Sequence, residues 1–164
     1  MKKTIYFLIV TFSFMVSFGQ DGIYEIALHY SHSLRITDHY VDVDISRQGD
    51  EYNLHVKTKA LGDNKELNKK NMDTTFAISK EQFLSIIASI KKISCVDIAK
   101  DVETDRNGMD GNTCEIMYGS FDSSIAYKIW TPDYDTSKRG LTEFYNCCLL
   151  IAKTAKLKST ILFK

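Results

Sequence analysis

The sequence predicts an α+β fold, an antiparallel sheet of about six strands with two helices packed on one face. Three observations predict it. Apolar and polar residues alternate in several short runs, as in strands half buried against a core. Two longer stretches repeat their apolar residues at the helical period of about 3.6. The strands also come in blocks rather than one by one between helices, the arrangement of an antiparallel sheet with helices gathered on one side.

The elements follow in chain order. Lys2-Lys3, the apolar run Ile5 to Val16 and then Ser17-Phe18-Gly19 have the order of a cleaved secretory leader, residues 1–19. The run is shorter than the roughly 20 residues that a spanning helix needs, and no nearby cysteine offers a lipid anchor. Residues 20–164 are then expected to form one soluble domain, periplasmic or secreted. Tyr24, Ile26, Leu28 and Tyr30 alternate with Glu25, Ala27 and His29 as a first strand. Val41, Val43 and Ile45, then Tyr52, Leu54 and Val56, form a hairpin around Arg47-Gln48-Gly49-Asp50. Residues 60–71 read as a polar loop, and Met72, Thr74, Phe76 and Ile78 as a fourth strand.

Ser79-Lys80-Glu81-Gln82 is a capping box, in which serine and glutamine satisfy each other's orphan backbone N–H groups. Phe83, Ile86, Ile87 and Ile90 then mark the buried stripe of a helix ending near Lys92. Val96 to Ala99 is read as a short strand, and Lys100 to Asn112 as a polar loop. Cys114, Ile116 and Tyr118 face inward on the next strand, and Ile125 to Thr131 returns beside it to Pro132. A long helix is expected from Thr136 or Ser137, burying Leu141, Phe144, Tyr145, Cys148, Ile151, Ala152 and Ala155.

Composition narrows the function classes. Lysine plus arginine and aspartate plus glutamate each number 21, and loss of Lys2 and Lys3 with the leader leaves acids in slight excess. A near-neutral domain lacks the basic face that nucleic acid or anionic lipid rewards. With 44% hydrophobic residues and one proline, disorder is excluded as well. The four cysteines, Cys95, Cys114, Cys147 and Cys148, suit an oxidising compartment, where an even set invites pairing. Bridging the neighbours Cys147 and Cys148 would strain the chain. The preferred pairing is Cys114–Cys148, sheet to helix, with Cys95–Cys147, helix to helix, and no cofactor is expected.

His29, His55, Asp42 and Asp44 all fall on the polar side of their strands and are the candidate metal ligands. Convergence of two imidazoles and two carboxylates would suit zinc, although the helical H-x-x-x-H and H-E-x-x-H spacings are absent and a solvated face is the plainer expectation. The stretch Asp105 to Thr113 is rich in oxygen donors, but Met109, Asp110 and Ile116 stand where a calcium loop wants an acid, a glycine and a glutamate. Asn107-Gly108 and Asp110-Gly111 read instead as turn formers leading into the Cys114 strand. No G-x-S-x-G elbow is present, and cysteines held in disulfides cannot act as nucleophiles. No catalytic residue is assigned.

Recognition remains. Trp130 and Tyr134 stand among acids in Trp130-Thr131-Pro132-Asp133-Tyr134-Asp135, a composition that protein interfaces use, although Trp130 could equally close the core. Asp101, Glu103, Asp105, Asp110, Asp133 and Asp135 would steer a basic partner toward it. Asp110-Gly111-x-Thr113 leading into a strand, Tyr127-x-Ile129-Trp130-x-Pro132, and a closing amphipathic helix resemble the C-terminal half of small exported α+β proteins of Gram-negative bacteria. The resemblance spans about residues 72–156; some of those proteins are immunity proteins, which protect the envelope from a toxin, so it implies binding and supplies no catalytic residue.

The expectation is an exported, disulfide-stabilised binding protein, of the immunity or inhibitor kind, that occludes a protein partner such as a toxin or envelope enzyme. The contact would use one face of the sheet or the polar loops. Two alternatives are a metal-dependent hydrolase built on the His/Asp set and a structural or surface-associated protein.

Overall fold

The computed structural model describes residues 22–35, 37–62, 71–103, 111–158 and 162–163, with backbone only at 102–103. The leader expected at 1–19 lies outside them, as do Asp105, Asp110 and most of the 60–71 loop. The strands are β1 (Glu25–His32), β2 (Tyr40–Gln48), β3 (Glu51–Lys59), β4 (Asp73–Ala77), β5 (Asn112–Gly119) and β6 (Ser124–Trp130). The helices are α1 (Lys80–Ile90), α2 (Cys95–Glu103) and α3 (Thr142–Thr154). All five strand pairings are antiparallel, in the order β4-β3-β2-β1-β5-β6. The first strand is therefore central, and the β5–β6 hairpin returns to its free side after two helices.

Strand alternation fixes which face is buried. Ile26, Leu28, Tyr30, Val41, Val43, Ile45, Leu54, Val56, Cys114, Ile116 and Ile129 share one face and are almost fully buried. Phe83, Ile86, Ile87 and Ile90 of α1 and Phe144, Cys148, Ile151 and Ala152 of α3 join them in one core. The capping box opens α1 as expected: Gln82 N–H donates to Ser79 Oγ at 3.2 Å, and Ser79 N–H to Gln82 Oε1 at 2.8 Å.

Two expectations about elements are corrected. Val96 to Ala99 is not a strand but part of α2, which extends into the expected loop. Ser94 Oγ accepts the Asp97 N–H at 3.2 Å, an N-terminal cap that favours the helix. Ile98 is its buried residue and Val96 points outward, so the short apolar run is amphipathic at the helical period, not the strand period. The last helix starts at Thr142 rather than at Thr136 or Ser137. Residues 131–140 are turns instead, closed by Gly140 at φ +70°, where a Cβ would also press on Asp97.

Arg139 holds that connection. It is buried, and its five N–H groups are all used. Nε and Nη2 donate to the two oxygens of Asp101 at 2.7 and 2.8 Å; the remaining donors reach the carbonyls of Trp130 at 2.8 Å, Tyr134 at 2.9 Å and Thr131. Thr131 takes a left-handed φ of +43°, costly for a β-branched residue. The guanidinium thus ties α2 to the end of β6 and holds a strained turn in place.

The disulfide expectation is also corrected. All four cysteines are free. Cys114 and Cys148 do meet between sheet and helix, but as two free, buried thiols. Cys95 stands exposed at the start of α2 while Cys147 is buried in α3, so that pair is not joined. Three of the cysteines therefore act as small core hydrophobes. In native protein, one thiol, Cys95, is expected to react quickly with a disulfide reagent and the other three only after denaturation; two or more fast thiols, or fewer than four in denaturant, would contradict this placement.

Burial pushes the Cys147 thiol up to about 12 and Cys148 well above its ordinary value. A thiol whose pKa is raised by folding supports the fold fully below the unfolded pKa, and this support disappears as pH rises toward the folded value. Stability in reductant should therefore fall above about pH 8.5, by about 1.4 kcal/mol per pH unit for each such thiol. Urea titrations at about pH 7.5 and pH 10, with Cys147→Ala as the flatter comparison, check this.

Candidate functional site: the open face of the sheet

Helices cover one side of the sheet, so the residues at alternate positions are left on the other. Register then arranges them in rows. One row runs across all six strands as Lys128, Glu115, His29, Asp42, Lys57 and Asp73. Bases and acids alternate along it. Lys128 Nζ lies 4.0 Å from Glu115, His29 Nδ1 2.8 Å from Asp42, and Lys57 Nζ 3.9 Å from Asp73. Opposite-charge neighbours across strands stabilise a sheet only modestly where solvent reaches them.

The next row is Ala126, Met117, Ala27, Asp44, His55 and Thr75. His55 lies between two acids: Nε2 is 2.8 Å from Asp73 and Nδ1 3.8 Å from Asp44. Its hydrogen bond holds the Asp73 carboxyl below its ordinary range. Because folding lowers that pKa, the contribution exists above the unfolded value and is lost as pH falls through the folded one. On the other side of the His29 row, Trp130, Thr113, Ser31, Tyr40 and Lys59 form a row with one aromatic ring at its β6 end and a second on the inner strand β2.

The four candidate ligands therefore share this face but do not form one donor set. His29 pairs with Asp42, while His55 engages Asp44 and Asp73 through its two nitrogens. Among the described residues no three His, Cys, Asp or Glu side chains are placed to hold one ion. No hydroxyl or thiol among them hydrogen-bonds His29, whose recorded side-chain partner is Asp42.

Small residues in the middle of the face leave a hollow. A groove of about 550 Å³ lies over Ala27 and Gly119, bordered by Met117, Glu25, Asp44 and the Phe121 ring. At Gly119 any Cβ would strike the Ser123 carbonyl, which is why the β5–β6 hairpin closes tightly there. A smaller hollow of about 150 Å³ lies across His29, between Tyr40, Thr113, Glu115 and Lys128. His29 thus stands between the two.

The residues expected to meet a partner are placed unevenly. Trp130 is half-buried at one end of the open face, and Tyr134 is exposed beside it. Asp133 accepts from Asn112 Nδ2 at 3.1 Å, and Asp135 lies 3.8 Å from Lys138. Asp101 is a correction: it is buried against Arg139 and is not a steering charge. Glu103 is described in backbone only, and Asp105 and Asp110 lie outside the described residues. Glu115, Lys128, Tyr40, Met117 and Phe121 were missed. Parity already put the first four on the polar side, but only the placement of β5 beside β1 brings Glu115 and Met117 to His29 and Ala27.

No protein-family model, curated protein or solved structure matches this chain.

Proposed function

We propose that this chain is an exported binding protein, of the immunity or inhibitor kind, that occludes a protein partner with the open face of its sheet. The observation that carries the proposal is a six-stranded sheet on which the helices among the described residues pack on one side, while the other side bears a charge ladder and a groove. Five strand gaps of about 4.8 Å and strands of about seven residues give a face of about 24 by 23 Å. This flat area is about two thirds of the roughly 800 Å² per partner of a standard interface, and side-chain relief adds to it. Alternating charge favours one register of docking and penalises others, and Trp130 on the edge strand and Tyr40 on an inner strand are its ring anchors.

Export rests on the leader-like residues 1–19, since the disulfides no longer support it. Stability comes from the core, not from covalent staples. No helix among the described residues is long and apolar enough to cross a membrane.

The test is affinity capture with the processed chain beside two face variants, Tyr40→Arg and Lys128→Glu. A protein retained by the native chain and lost by both variants is the expected result. Retention of the same protein by all three chains, or turnover of a substrate abolished at His29, would overturn the reading.

A further inference from the structure

We infer that the groove over Ala27 receives an arginine side chain from a basic surface of the protein partner. This rests on the open face being the contact surface and adds the chemistry of its anchor. Three features lead to it. The acidic and basic residues lining the groove are Glu25, His29 and Asp44, with no lysine or arginine among them. Glu25 and Asp44 are diagonal neighbours across β1 and β2, because Glu25 pairs with Ser46 and Ala27 with Asp44. Diagonal positions lie about 7–8 Å apart, a span that one guanidinium can bridge with a hydrogen bond to each carboxylate.

The floor and wall suit the rest of that side chain. Ala27 and Met117 are register partners and give an apolar bed for three methylenes. Phe121, 87% exposed at the tip of the β5–β6 turn, offers its ring to the planar cation. A ring so exposed has no packing role, whereas guanidinium stacking would cover it. Lysine fits less well: its point charge cannot fork between two carboxylates or stack flat. The neighbouring bases do not occupy the groove. Lys128 and Lys57 are drawn to Glu115 and Asp73 in the adjacent row. Glu25 has no ion-pair partner recorded among the described residues. His29 is turned toward Asp42 at 2.8 Å, and the base nearest Asp44 is His55, whose Nδ1 lies 3.8 Å away, beyond hydrogen-bond range.

The test is an NMR titration of the processed chain with N-acetyl-arginine amide at low salt, against N-acetyl-citrulline amide, which has the same shape without the charge. Saturable shifts centred on the Ala27, Met117 and Gly119 amides are expected. Binding should weaken about tenfold for the citrulline probe and for Glu25→Gln/Asp44→Asn, because charge-assisted hydrogen bonds are lost. Phe121→Ser should weaken it less, and added salt should weaken it too. Equal binding of both probes, shifts centred elsewhere, or no saturable shift would each overturn the inference. A native-like spectrum confirms that each variant is folded. If a captured partner is lost by Tyr40→Arg and Lys128→Glu yet kept at full affinity by Glu25→Gln/Asp44→Asn, the groove assignment fails while the sheet-face reading stands.

Discussion

Replacing Arg139 by alanine should destabilise the protein by about 3–5 kcal/mol, the usual result of removing one partner from a buried ion pair. Against a total stability of about 5–15 kcal/mol for a domain, that is a large share. The cost is not the lost attraction alone. Asp101 would remain buried with an uncompensated charge, and the carbonyls of Trp130, Thr131 and Tyr134 would lose their donors together. Arg139→Lys should also fail to restore the turn, because an ammonium has three donors where five are used. Urea unfolding followed by the fluorescence of Trp130, the single tryptophan, measures the loss at the turn itself. Arg139→Met combined with Asp101→Leu should recover a good part of the stability, since a buried pair replaced by apolar residues of similar size is often tolerated. A loss below about 1 kcal/mol for Arg139→Ala, the scale of a surface ion pair, would contradict the buried geometry.

Phe83→Ala should cost a similar amount, about 3–5 kcal/mol, through the cavity it leaves. Phe83 is 1% exposed and its ring centre lies 5.0 Å from that of Tyr52, joining α1 to the start of β3. Leu84, the next residue, points outward at 42% exposure, and Leu84→Ala should change stability by no more than about 0.5 kcal/mol. The pair is a sharp test, because the two residues differ chiefly in which side of α1 they occupy. Thermal or urea unfolding of both variants reads the difference, and equal losses would mean that α1 is rotated relative to its described face.

Much of this was legible from local spacing. The parity of β1, β2, β3 and β5 placed His29, Asp42, Asp44 and His55 on the solvent side, and the structure finds them there. The α1 stripe and its capping box hold in full. Where local reading failed, two local signals competed. The apolar run Val96 to Ala99 suits a strand, while Ser94-Cys95-Val96-Asp97 carries a helix cap, and the cap prevails. The start of α3 was drawn too early because Thr136 and Ser137 are good caps, whereas the downstream Gly140 and the buried Arg139 require turns. The cysteines were paired by the logic of compartment and proximity, but Cys114 and Cys148 pack as thiols and Cys95 faces solvent.

The sequence by itself determined which side chains turn inward and which turn out, because that depends only on a period of two along strands and about 3.6 along helices. Tertiary structure alone decided that β5 lies against β1, which sets Glu115 beside His29, Met117 beside Ala27 and the groove between them. It likewise brought Arg139 to Asp101, 38 positions away. Such neighbours are set by the pairing of distant segments, for which spacing along the chain carries no signal.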